Sequence, residues 1–461
     1  MGNRLMARRG APAVDPARGL AAVAAARRDL ELGNWDRAAW LLDSAPAQDP
    51  NDRFELIQLL SRWSGRPVWL DRWVAAEPAS PLPLLVRGAH AIWWAWEARG
   101  GGTADTVSDD AARAFLERLR LAEADLGRAA QLDPTDPNPW ALSIPSGMGL
   151  GEGLEALGAR FEAAVARAPG HMGAHRHLLL ALTGKWGGDD EMMLGFARRA
   201  ATGAPPGSQL PLLTLAAHVE MAVGFGMREQ AGAAVDHLRR PDVAAEVRAA
   251  LAHSLLHPAY RQGPHTPLDR NLAALWLIQL GDRDGARAQF ELLGDVVTDA
   301  PWQYFDEPGL IFAEYRAAAS GRLAMPKPLT GEQAELDVQY DRFDTLDRAT
   351  KREVERLAHE GRLHPDPAVA AASVGWARST ARRRRIEVGG VLLAAALAVA
   401  VSLAIGRPVL LGAPAMATVF AIKRLRFSRR LARLADQASK GQGYGSGPGH
   451  VPGRADGRWA Q

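Results

Sequence analysis

Cysteine does not occur in this 461-residue chain. That excludes a disulfide framework and any thiolate zinc site, and it fits a reducing compartment. Lysine is nearly missing as well. Of the 55 basic residues, five are Lys (Lys185, Lys327, Lys351, Lys423, Lys440) and 50 are Arg, a usage matching the codon bias of a GC-rich bacterial genome. Alternating runs of β-branched residues are absent, so no sheet is expected. A secretory signal is not expected from the given sequence either, because "GLAAVAAA" is short and flanked by Asp15 and Arg27.

Charge and long apolar runs are confined to one end. Residues 376–461 hold 15 basic and 3 acidic residues, a net of +12, which leaves −9 on residues 1–375. Such a body is a poor general nucleic-acid binder, so no nucleic-acid partner is expected. The basic excess surrounds "IEVGGVLLAAALAVAVSLAI" (386–405) and "PVLLGAPAMATVFAI" (408–422). The first, at 20 residues, matches a hydrocarbon core of ~30 Å. The second covers roughly 22 Å at the helical rise, and needs Lys423 and Arg424 to snorkel or the bilayer to thin. Arg382, Arg383, Arg384 and Arg385 precede the pair, Lys423, Arg424 and Arg426 follow it, and only Arg407 lies between. The positive-inside rule then predicts a transmembrane hairpin with both flanks cytoplasmic and Gly406 outside. Glu387, one turn from Arg383, reads as an interfacial ion pair.

The remaining chain has helical periodicity broken at Gly, Pro and Asp. Expected helix pairs are 18–32 with 36–44, 51–63 with 67–76, 82–98 with 109–132, 138–147 with 153–168, 171–183 with 189–202, 209–224 with 228–239, and 269–280 with 283–296. A helix near 242–256 is expected before the loop "HPAYRQGPHTP", and 308–320 caps the series. The insert "RGGGTADTVSDD" is too glycine-rich and polar for helix. Beyond the linker "RLAMPKPLTGEQ", helices are expected at 331–343 and at 347–360, the latter ended by Gly361. Asp366 is expected to cap another. The domain reading is a disordered 1–16, a repeat domain over 17–321, linker and juxtamembrane helices over 322–381, the hairpin over 382–425, and a basic helix with a disordered Gly-rich tail over 426–461.

One spacing recurs: Gly33–Ala38–Leu42, Gly226–Ala231–Val235 and Gly281–Ala286–Phe290. Gly supplies the turn between two helices. Ala permits close approach, and the larger residue one turn later fills the groove. Helix-ending segments finish at Pro134, Pro169 and Pro205, close to the roughly 34-residue period of tetratricopeptide repeats. "GNWDRA" and "GDRDGA" resemble the turn and second-helix start of those repeats over about residues 17–320. "AWEARGGGTADTV" and "KWGGDDEMMLGFA" resemble an uncharacterised bacterial family of such repeats. The resemblance implies an all-α, tetratricopeptide-like α-solenoid and no chemistry.

Candidate sites are few. His171 with His175, and His253 with His257, stand one turn apart as metal ligands would, but no carboxylate completes a known spacing. "HEGRLH" places its second His one position late for a zinc protease and contains a helix-breaking Gly. "GQGYGSGPG" and "ALTGKW" lack the context of phosphate-binding loops. Trp93, Trp94 and Trp96 cannot all face one core; interhelical packing is favoured over an exposed partner anchor. No catalytic residue, cofactor or metal is therefore expected. The expected function is a non-enzymatic scaffold at the plasma membrane, cytoplasmic in bulk, binding a protein or peptide partner on its repeat surface. The alternatives are an enzyme, such as a hydrolase with its site in the superhelix cavity, or a subunit of a membrane transport or envelope complex.

Overall fold

Asp, Pro and Gly set the helix ends. The computed structural model describes residues 11–45, 49–99, 109–227, 231–302, 308–323, 343, 346–366, 368–374, 376–377, 431 and 434. The chain divides into two units, one of residues 1–229 and 236–328, the other of residues 230–235 and 329–461. Among the described residues the regular elements are helical, and extended pairing is limited to one parallel bridge, Val14 with Val297.

The first unit begins with α1 (Ala21–Glu31), α2 (Asp36–Ser44), α3 (Pro50–Ser61), α4 (Val68–Ala76), α5 (Leu82–Arg99), α6 (Asp109–Leu132), α7 (Asn138–Gly149) and α8 (Leu154–Arg167). It continues with α9 (Met172–Ala181), α10 (Asp190–Thr202), α11 (Leu212–Met227), α12 (Ala231–Leu238, whose first residues fall in the second unit), α13 (Pro241–His253), α14 (Thr266–Gln279), α15 (Arg283–Leu293) and α16 (Pro308–Ala319). The expected pairs reappear with ends shifted by at most three residues. The caps explain the starts: Asp49, Asp189 and Asp282 accept from the backbone N–H of Asn51, Met192 and Gly285, satisfying donors that the first turn leaves free.

Two copies of the recurring spacing share one geometry. Gly33 and Gly281 stand at φ +79° and +73°, where a side chain is strained. Ala38, Leu42 and Ala286 are fully buried, and Phe290 meets Phe312 edge-on at 5.1 Å. The third copy differs: Gly226 lies inside α11, Ala231 opens α12, and the intervening residues 228–230 lie outside the described residues.

The first helices of successive pairs pack on one another, α1 on α3, α3 on α5, α5 on α7, α7 on α9, α9 on α11 and α11 on α14. The series also folds back, because α9 packs against α3. Gly173 permits that approach, since a Cβ there would collide with the Phe54 ring. Phe54 in turn meets His171 edge-on at 5.1 Å. The two ends of the unit then meet. The Asp15 N–H donates to Val297 O at 2.8 Å, Arg62 pairs with Asp299, and Arg261 reaches Asp49 at 2.6 Å and Asp52 at 2.9 Å. Residues 11–16, expected as disordered, thus take part in closing the unit: Val14 packs against the core that contains Val297. The Trp-rich helix packs inward: Trp93, Trp94 and Trp96 are all half-buried, with Arg118 3.5 Å above the Trp94 ring and Trp186 against Trp96. The insert at 100–108 lies outside the described residues.

In the second unit α17 (Arg348–His359) is capped by Asp347, and Gly361 follows its end at φ +79°. Asp366 accepts from the N–H of Ala368 and Val369. A small core joins Phe343, Val354, Ala358, Ala372, Trp376, Ala377 and Leu431. No helix among the described residues is long and apolar enough to cross a membrane. The runs 386–405 and 408–422, with Arg382, Arg383, Arg384, Arg385, Lys423, Arg424 and Arg426, lie outside the described residues, as does most of the helix expected at 331–343.

The α14–α15 seam carries a testable cost. Phe290→Ala, which removes one of the two rings that meet Phe312 edge-on, is expected to lower stability by roughly 3–5 kcal/mol, and Ala286→Leu by about 1–3 kcal/mol through overpacking. Denaturant titration of the full-length protein in mild detergent measures both, and a loss under ~1 kcal/mol for each would mean that the seam is not tightly packed.

Candidate functional site

A cavity of about 280 Å³ opens between α3, α9, α11 and α14. These are first helices of their pairs. The segment 299–301 and Arg18, just before α1, complete its wall. Its lining includes the aliphatic Leu180, Leu212, Ala216, Val219 and Leu272 together with polar groups.

The polar groups are organised around Glu55, which is 2 % exposed. One carboxylate oxygen accepts from Arg18 at 2.6 Å, the other from Arg176 at 2.8 Å. Burial alone would push this carboxyl up. Arg176 and Arg18 outweigh it and hold Glu55 well below the ordinary carboxylate range, so it is ionised at neutral pH. Arg62 lines the same cavity and pairs with Asp299. Burial and the nearby Arg18 charge lower its pKa, and its Nε is a buried donor with no acceptor. Its side chain still keeps 35 % of its surface accessible, as expected of a group bordering a cavity that admits water.

The opposite wall has another character. Asp269, on α14, is buried and accepts from Tyr260 at 2.7 Å and Gln209 at 2.8 Å. Burial pushes its pKa up, beyond what His265, Tyr260 and Gln209 restore. Glu220 of α11 also lines the cavity. His177 borders the cavity and bonds the Ala141 carbonyl through Nδ1 at 2.8 Å. Among the described residues the lining holds no Ser, Thr, Tyr or Lys; it offers guanidinium donors, the carboxyl groups of Glu220, Asp269 and Asp299, the His177 imidazole and apolar surface.

The sequence-derived candidates fall elsewhere. His171 is a capping residue whose Nδ1 accepts from the Ala174 N–H, while Nε2 contacts Asn138. His175 bonds the His171 carbonyl. Both imidazoles are committed to packing, and no group of residues suited to holding a metal occurs among the described residues. His253 and His257 have ring centroids 6.3 Å apart, and His253 bonds the Ala204 carbonyl. Gly33, Ala38, Leu42, Gly281, Ala286 and Phe290 belong to the helix seams described above and none lines the cavity. A second polar cluster also went unread. His218 Nδ1 lies 3.1 Å from His237 Nε2, and its Nε2 lies 3.1 Å from Glu246, which Arg198 clamps with two bonds. With Glu246 held ionised by Arg198 and both imidazoles neutral, His218 donates through Nε2 to Glu246 and accepts at Nδ1 from His237. Neither cluster has a motif. The signal for Glu55 was a lone acid within the apolar helix "FELIQLL"; the site arginines were lost among the chain's 50.

Stability should fall in mild acid. Burial, then His175 and His177 for His171 and Arg176 for His177, pushes His171 down to about 3 and His177 down to about 4. The unfolded imidazoles titrate near ~6.5, so between there and the folded values only the unfolded state takes up protons, and stability drops as pH falls. His265 works the other way: burial lowers its pKa, but Asp52, Asp269 and Glu55 raise it further, so its contribution is present below ~6.5 and is lost as pH rises through its folded value. His177→Gln should flatten the acid slope between pH ~6.5 and about 4, by up to one proton. Melting temperatures across that range check it, and an unchanged slope would mean that His177 is not held neutral.

No protein-family model, curated protein or solved structure matches the chain.

Proposed function

We propose that this protein is a membrane-tethered, tetratricopeptide-like binding module without catalytic activity, its repeat surface serving a protein or peptide partner. The observation that carries this reading is the make-up of the cavity between the inner helices: guanidinium donors beside aliphatic side chains, with no Ser, Thr, Tyr or Lys among its described lining residues. Concave sites between stacked helix pairs are the surfaces such arrays use for recognition. The charged pairs around Glu55 hold their geometry through mutual ion pairing, which suits a preformed binding wall better than proton transfer at neutral pH.

The tether is read from the second unit. Trp376 and Ala377 precede the two apolar runs, Leu431 follows them, and all three share one small core. A chain that departs and returns at one core supports a hairpin with both flanks on the same face of the bilayer. The basic residues on both sides favour the cytoplasmic face of the plasma membrane.

The absence of native cysteine makes topology directly testable. Single substitutions Ser320→Cys, Ser439→Cys and Gly406→Cys should show that 320 and 439 are protected from a membrane-impermeant thiol reagent in intact cells while 406 is labelled. Labelling of 439 together with protection of 320 would mean a single crossing. Labelling of 320 would reverse the orientation.

A further inference from the structure

The loop between α13 and α14 meets α3 through an imidazole whose two nitrogens both face acceptors. His265, just before α14, is 3 % exposed. Its Nε2 lies 3.2 Å from the Arg261 carbonyl oxygen. A carbonyl can only accept, so Nε2 carries a hydrogen. Its Nδ1 lies 3.6 Å from Asp52 Oδ1 on α3. Arg261 reaches the other oxygen of Asp52 at 2.9 Å and Asp49 at 2.6 Å. Burial works against ionisation of Asp52, but His265 and Arg261 outweigh it and hold its carboxyl below the ordinary range. An ionised carboxylate only accepts, so Nδ1 needs a hydrogen as well. The geometry is that of an imidazolium.

No other group serves the pair. Among the described residues, Asp52 Oδ1 and His265 Nδ1 are buried and lack a hydrogen-bond partner. The backbone passes close by, since a Cβ on Gly263 would come within 2.6 Å of Asp52 Oδ1 and 2.8 Å of His265 Cε1. The charged and titratable groups around the ring come from three elements. On α3, Asp49 and Asp52 are paired with Arg261, and Glu55 is shared by Arg18 and Arg176. In the loop, Tyr260 meets the ring edge-on at 5.8 Å and donates to Asp269 of α14. Burial lowers the His265 pKa, but Asp52, Asp269 and Glu55 raise it further, in agreement with the geometry.

Loss of one proton leaves two tautomers, each with a fault. With the hydrogen on Nε2, Nδ1 and Asp52 Oδ1 face each other as two acceptors, and the loop loses a link to α3. With the hydrogen on Nδ1, Nε2 faces the Arg261 carbonyl. Arg261, whose guanidinium supplies the remaining links to α3, then loses its backbone anchor. We infer that His265 is a proton-operated latch: as an imidazolium it fastens the α13–α14 loop to α3, and on deprotonation the loop lifts away. The latch holds below the ordinary imidazole value of ~6.5 and releases as pH rises through the higher folded value. Both α3 and α14 border the cavity, so the latch governs how firmly that space is enclosed, whatever it binds.

The test uses the full-length protein in mild detergent. Nitrogen magnetic resonance of histidine-labelled protein, with the His265 signals identified by their loss in His265→Gln, should give a midpoint above ~6.5. Spin labels at Asp43→Cys, on the helix packed against α3, and at Gln262→Cys, both exposed positions, should give a narrow distance below that midpoint. Above it the distance should lengthen and broaden. His265→Gln should make the distance independent of pH. Asp52→Asn offers an amide N–H that the neutral ring can accept at Nδ1, so the midpoint should fall and the narrow distance should persist in alkaline buffer. A midpoint at or below ~6.5 overturns the inference. So does a distance unchanged across the midpoint, a pH response that survives His265→Gln, or a response in Asp52→Asn equal to that of the parent protein.

Discussion

The first unit depends on one buried carboxylate. Glu55 sits on α3, and its two oxygens take one guanidinium from before α1 and one from α9. An ion triad taken out of water is costly unless its geometry is nearly complete. Here both oxygens are served, and the arginines come from positions 37 residues before and 121 residues after. Removing either partner would leave a buried charge, so the triad makes the α3–α9 approach and the N-terminal segment conditional on each other. It also sets the chemistry of the cavity, since it fixes two of the three guanidiniums that line it.

Closure of the unit has the same cause. A row of stacked helix pairs has two free ends, whose apolar faces need covering. In this chain each end helps to cover the other. Val14 pairs with Val297, Arg62 meets Asp299, and the loop carrying Arg261 reaches back to Asp49 and Asp52 at the start of α3. These contacts bring together residues more than 200 apart in sequence. They also bring α3, α9, α11, α14 and the segment 299–301 around one space, which no pair of neighbouring repeats could do alone.

The local layer was legible in the sequence and the long-range layer was not. Gly33, Gly281, Asp282 and the spaced apolar residues act within one or two helices, so periodicity and cap chemistry located the helices closely. Gly226 shared the spacing of Gly33 and Gly281 but lies in the last turn of a helix that ends at Met227, because neighbouring apolar residues outweigh a glycine's weak local preference. The histidines at 171 and 175 resembled ligands in spacing, yet each is used by a backbone or side-chain partner in the core. Arg18, Glu55, Arg62 and Arg176 share no spacing. Only the fold-back of α9 on α3 brings them together, and an arginine-rich composition hides such a cluster among solvated residues.

The central claim is that residues 11–18 and 295–301 lie against each other in the native protein. Because the chain has no cysteine, spin labels can be placed at Ala13→Cys and Asp295→Cys without background, both at exposed positions. Pulsed electron paramagnetic resonance on the full-length protein should give one narrow, short distance, which broadens and lengthens when Glu55→Gln removes the charge that holds Arg18. A long or broad distribution in the otherwise native protein would mean that the helix pairs form an open array, and the account of closure and cavity would fall together.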